Sequence, residues 1–100
     1  MTLPIRFRPE AEEDLRLAID WYEEQREGLG DDLIDDVGET IERMERLPES
    51  YRLVHGEFRR ALLRQFPYAI YFRVRSAIEI FAVFHARRNP RDLRRQLRHR

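Results

Sequence analysis

The chain has 100 residues, 42% of them hydrophobic, with no cysteine and no lysine. That suits one domain with a core and excludes a disulfide framework, a thiolate nucleophile and a Cys-based zinc site. The formal charge is zero, yet residues 1–50 carry 16 acids against 6 Arg and residues 51–100 carry 13 Arg against 3 acids, so net charges of −10 and +10 cancel. The N-terminal residues lack an apolar run of signal-peptide length and no stretch approaches the ~20 residues of a membrane span, so a soluble cytoplasmic protein is expected. Arginine also fills ordinary helix-surface positions such as Arg16, Arg26 and Arg43, which fits a coding bias; only its clustering is informative. The basic half suits an anionic partner, nucleic acid or an acidic protein segment.

Residues 3–8 read as a first strand closed by Pro9, which opens a helix. Ala11, Leu15, Ala18, Ile19 and Tyr22 form one apolar helix face, and acids from Glu10 to Asp14 suit the positive end of the helix dipole. The helix is expected to end near Glu27, with Gly28-Leu29-Gly30 as the reversal. Asp31 or Asp32 then caps a second helix whose apolar line is Ile34, Val37, Ile41 and Met44, ending at Leu47-Pro48. So short a connection makes an antiparallel helical hairpin over about 9–47. Trp21 and Leu17 lie off its seam; Trp21 is either half-buried against the sheet or an anchor for a partner.

After residue 50 the period changes. Residues 51–54 read as a short extended piece, Gly56 as a turn and 58–66 as a strand containing Arg59, Arg60 and Arg64. From Tyr68 the alternation sets Ile70, Phe72 and Val74 against Ala69, Tyr71, Arg73 and Arg75. Residues 78–85 set Ile78, Ile80, Ala82 and Phe84 against Glu79, Phe81, Val83 and His85, apolar on both faces and hence central. The sheet region spans about 51–88, and the basic tail, 89–100, reads as a short helix or a disordered arm. The predicted class is α+β, an N-terminal strand and helical hairpin packed on one face of a small antiparallel sheet, with arginines gathering on the other face.

Three scattered histidines give no metal-ligand spacing, the one close glycine pair joins two helices rather than cradling a phosphate, and no cofactor is expected. RNA cleavage would need a base, an acid and cations around the phosphorane. His85 with Arg60, Arg87 and Arg88 could supply part of that, although His85 reads better as a structural residue ending its strand, because no second acid/base partner stands out.

Ala11-x-x-Asp14-Leu15, Trp21-Tyr22, Gly28-Leu29-Gly30, Leu47-Pro48, Arg59-Arg60, Phe66-Pro67-Tyr68-x-Ile70-Tyr71 and His85-x-x-Arg88-x-Pro90 together resemble the RelE/ParE superfamily over residues 5–97. These are toxins of type II toxin-antitoxin, or plasmid-stabilisation, modules. The resemblance implies the same fold, a cognate antitoxin whose C-terminal segment wraps the toxin, and a toxin-antitoxin hetero-oligomer. RelE-like members are ribosome-dependent mRNA endoribonucleases; this chain departs from them with Ala69 after Tyr68 and no tyrosine after Tyr71. It is more similar to ParE-like members, which poison DNA gyrase. A third expectation is an inactive relative that only binds its partner. Trp21, Arg59, Arg60, Arg64, Tyr71, Arg73, Arg75 and Arg88 are the expected antitoxin or target contacts, an acidic tail and an amphipathic helix being what such a surface takes up.

Overall fold

The computed structural model describes residues 2–100. In chain order it runs β1 (Ile5–Phe7), α1 (Pro9–Gln25), α2 (Leu29–Arg46), a 3-10 turn (Pro48–Ser50), β2 (Leu53–His55), β3 (Phe58–Leu62), β4 (Tyr68–Val74), β5 (Ile78–His85) and α3 (Pro90–His99). Among these residues no helix is long and apolar enough to cross a membrane.

Pro9 starts α1, where its missing N–H leaves nothing unpaired. Ala11 and Ala18 are buried and Leu15, Ile19 and Tyr22 pack on the core, which is the apolar face the spacing predicts. α1 stops at Gln25, short of Glu27, and α2 begins at Leu29, ahead of the predicted caps Asp31 and Asp32. The reason is Glu23. Its carboxylate accepts from Gly28 N at 3.1 Å and Gly30 N at 2.9 Å, satisfying the first donors of α2 from the preceding helix. Gly28 adopts φ +93°, which favours glycine, and a Cβ on Gly30 would sit 2.9 Å from Glu23 Oε1, so a side chain there would displace the carboxylate that caps α2.

The buried line of α2 is Leu33, Val37, Thr40 and Met44 with Asp36, whereas Ile34, predicted to face the core, is 46% exposed. The helix is turned toward Asp36 because that carboxylate has a fixed task. It accepts from Gln65 N and Phe66 N, both at 2.9 Å, and from Arg64 N at 3.3 Å, holding the β3–β4 loop. Thr40 is satisfied by donating to Asp36 O at 2.8 Å.

The sheet order is β1-β5-β4-β3-β2. β2 to β5 pair antiparallel, while β1 joins β5 in parallel with Ile5 opposite Ile78. The direction of β1 is free because no hairpin turn links it to β5; the whole chain between them intervenes.

β5 carries a bulge that alternation could not foresee. Tyr71 faces Ala82 and Phe72 faces Ile80, so Phe81 is the extra residue. Beyond it the faces exchange. Ile78, Ile80 and Val83 join the core under the helical hairpin, and Phe81, Ala82 and Phe84 turn to the opposite face, correcting the predicted grouping of Ile78 and Ile80 with Ala82 and Phe84. Asp14 accepts from Val83 N at 3.1 Å, and Arg100 donates to Phe81 O at 2.9 Å and to Asp14 Oδ1 at 3.0 Å, so α1 and the C-terminal residue pin the bulge from two sides.

That opposite face is therefore not a bare arginine surface. Leu93 and Leu97 of α3 pack there against Ala69, Tyr71, Phe81, Ala82 and Phe84, forming a second core. Residues 90–99 are a helix rather than an arm because Asn89 Oδ1 accepts from Arg91 N at 2.8 Å, Pro90 occupies the first turn, and the two leucines, one turn apart, have a surface to cover.

Candidate functional site: an arginine-lined cleft beside the third helix

Where the β5–α3 connection passes over β2 and β3 it leaves a cleft of about 370 Å³. Arg52, Arg60, Arg87, Arg88 and Arg94 line it, with Tyr71 on its floor and no acidic residue in the lining. β3 delivers Arg60 because Ala61, its neighbour, turns into the first core and period two sends Arg60 the other way. β4 delivers Tyr71, and the turn after His85 delivers Arg87 and Arg88.

The Arg88 guanidinium lies 3.9 Å above the Phe84 ring and donates to Gln96 Oε1 at 2.6 Å, so its direction is fixed while its charge stays uncancelled. Tyr71 is 1% exposed. Burial pushes its phenol above the ordinary tyrosine range, and the positive charges of Arg60 and Arg88 pull the other way. As a buried group it is part of the floor rather than the surface contact that its place in the alternation suggested.

His85 points elsewhere. It borders a separate cleft of about 290 Å³ with Leu17, Trp21, Tyr68 and Arg88. Its Nδ1 accepts from Arg87 N at 3.1 Å, which puts the proton of the neutral ring on Nε2, and the ring stands edge-on to Tyr68 at 5.6 Å. Burial raises the Tyr68 phenol too, the neighbouring Tyr22 adding to the rise and Arg88 opposing it. Trp21 is 54% exposed and touches Tyr22 edge-to-face at 4.9 Å; with Leu17 it makes an exposed apolar rim on that second cleft.

The remaining predicted contacts do not join the cleft. Arg59 donates to Tyr51 O at 2.8 Å and Glu49 O at 2.9 Å, tying the 3-10 turn to β3. Arg73 pairs with Glu79 at 2.9 Å and lies 4.8 Å over Phe81, and Arg75 pairs with Glu57 at 2.8 Å. The side chain of Arg64 is exposed on the β3–β4 loop. Two arginines of the cleft escaped prediction, Arg52 and Arg94. The signal for Arg94 was present in Leu93 and Leu97, which mark the buried side of α3 and leave the arginines outside; nothing local singles out Arg52.

Among the described residues no three His, Cys, Asp or Glu side chains gather as a metal site.

An α-helical hairpin on a five-stranded sheet, with an arginine-lined cleft beside α3, defines an α+β protein with a basic surface, and comparison with known proteins makes the class specific. The family model for the ParE toxin of type II toxin-antitoxin system, parDE, matches residues 5–90, and the chain belongs to that family. Among solved structures it is similar to a chain of the chromosomal ParDE TA system from P. aeruginosa, with a TM-score of 0.74 and 17% identity over 83% of this chain and 95% of that one. No curated protein matches it.

Proposed function

We propose that the chain is the toxin of a type II toxin-antitoxin module, that a cognate antitoxin neutralises it in a hetero-oligomer, and that its free form acts in the cytoplasm by inhibiting DNA gyrase and so blocking replication. Family membership supports the first part. One geometric observation favours gyrase over mRNA as the target. The cleft that gathers Arg60, Arg87 and Arg88 contains no residue suited to proton transfer near neutral pH, since Tyr71 is buried with a raised phenol and His85 borders a different cleft. A ribonuclease needs base, acid and several cations around one phosphate; here the imidazole shares its cleft with Arg88 alone of the arginines, while Arg60 and Arg87 line the other.

For the antitoxin, the exposed Leu17 and Trp21 rim offers the apolar anchor that an amphipathic segment takes up, and Arg88 borders both clefts. Arg60 and Arg64 remain available to an acidic segment, whereas Arg59, Arg73 and Arg75 already have intramolecular partners. Trp21→Ala should weaken antitoxin binding by about 2 kcal/mol, the size at which an interface aromatic becomes a hot spot, read by titration calorimetry.

The test of the target is direct. Purified toxin added to gyrase, relaxed plasmid and ATP should suppress supercoiling and leave cleaved DNA, while mRNA in a translating extract stays whole. Cleaved mRNA with undisturbed supercoiling would replace this reading by the ribosome-dependent nuclease, and His85→Ala should then abolish cleavage.

A further inference from the structure

α3 carries a second feature that lies beyond the residues the family model covers. Arg91, Arg94, Arg95 and Arg98 all face solvent, at steps of three, one and three, while Leu93 and Leu97 turn into the sheet. Arg95 pairs with Asp92 at 2.9 Å, and among the described residues no ion pair holds Arg91, Arg94 or Arg98. Arg94 also borders the arginine cleft, so helix stripe and cleft form one continuous cationic surface with Arg52, Arg60 and Arg87.

We propose that this surface binds the phosphodiester backbone of duplex DNA without reading its sequence. Unpaired guanidinium groups crowded on one side repel one another, and a polyanion relieves that repulsion while releasing its own counterions. Each Arg fork matches two phosphate oxygens. On the α3 stripe a protein partner is a poorer fit, because a protein interface is built around an apolar centre and the solvent face of α3 has no large apolar side chain, both leucines being buried; the exposed Leu53 stands across the cleft on β2. Protein–DNA interfaces, by contrast, are polar and strongly positive. Single strands are gripped by stacking bases on aromatic rings; the aromatics of this region, Tyr71 and Phe84, are 1% and 3% exposed, which leaves the duplex backbone as the ligand. The surface is read from charge and exposure, independently of the gyrase reading, and its test contains no gyrase.

Fluorescence anisotropy of the full chain with a labelled duplex of about two helical turns measures it. For about five phosphate contacts the dissociation constant should rise about 500-fold between about 50 and about 200 mM salt, and a scrambled sequence should bind equally. Arg94→Glu with Arg98→Glu should weaken binding at least about 30-fold and flatten the salt dependence, with Arg94→Gln and Arg98→Gln giving the same direction and circular dichroism reporting the fold. Arg26→Glu, in the acidic half, should change nothing. No binding at low salt, equal losses in the Arg26 variant, or tighter binding of single-stranded RNA or polyglutamate than of the duplex would overturn the proposal.

Discussion

Two buried or half-buried carboxylates do more for this fold than their place in an acidic helical hairpin suggests. Asp36 is 1% exposed and takes three backbone N–H groups of the β3–β4 loop, so it closes a polar loop against an apolar core. Asp36→Ala would strand those donors, and each buried donor left unmade costs about 1–3 kcal/mol. With water reaching part of the loop, urea denaturation should give a loss of about 3 kcal/mol. Asp14 does the corresponding work at the bulge, where it meets Val83 N and the Arg100 guanidinium. Glu23 is exposed, and its carboxyl is held below the ordinary glutamate range by Gly28 N–H first and Gly30 N–H second. A depressed folded pKa gives stability that is present above the unfolded pKa and is lost as pH falls through the folded one. Glu23→Gln should therefore lower the urea midpoint at pH 7, and the difference from wild type should shrink once the pH drops below about 4.

At the scale of elements, the helices were largely legible in the sequence. Ala11, Leu15, Ala18, Ile19 and Tyr22 form the packed face of α1 as their spacing predicts, and the antiparallel pairing of β2 to β5 follows from short connections. The misreadings share a cause. Helix ends, the rotation of α2 and the face exchange in β5 are all decided by side chains acting at a distance: Glu23 on the next helix, Asp36 on a loop nearly thirty residues away, Asp14 and Arg100 on the bulge. Local periodicity contains none of these. α3 is the intermediate case, since its cap and leucines are visible but the apolar surface receiving them exists only after the bulge has turned Phe81 and Phe84 toward it. Leu97→Ala should cost about 2–4 kcal/mol in thermal or urea unfolding. It should also expose Phe84, detectable as increased binding of a hydrophobic dye.

Across the whole molecule, the charge polarity of the sequence becomes a division of labour. The acidic half is the helical hairpin, whose outer faces carry Asp31, Asp32, Asp35 and Glu39 to solvent. The basic half ends in the cleft and the stripe of α3. The candidate site was legible in part: Arg60 and Arg88 lie at the cleft, Trp21 stands exposed, and Arg59, Arg73 and Arg75 are occupied by partners that only the folded sheet brings near. The separation of His85 from Arg60 and from the main arginine cleft could not be read from residues 85–88, because it depends on which side of the β5 end each side chain leaves.

Whether replication or translation is the target is measured most directly by following labelled thymidine and labelled methionine in parallel after the chain is induced in bacteria without antitoxin. Thymidine incorporation should fall first, with methionine incorporation persisting until the chromosome fails. An immediate fall in methionine incorporation while DNA synthesis continues would contradict the account and return the arginine cleft to the role of an RNA-cleaving site.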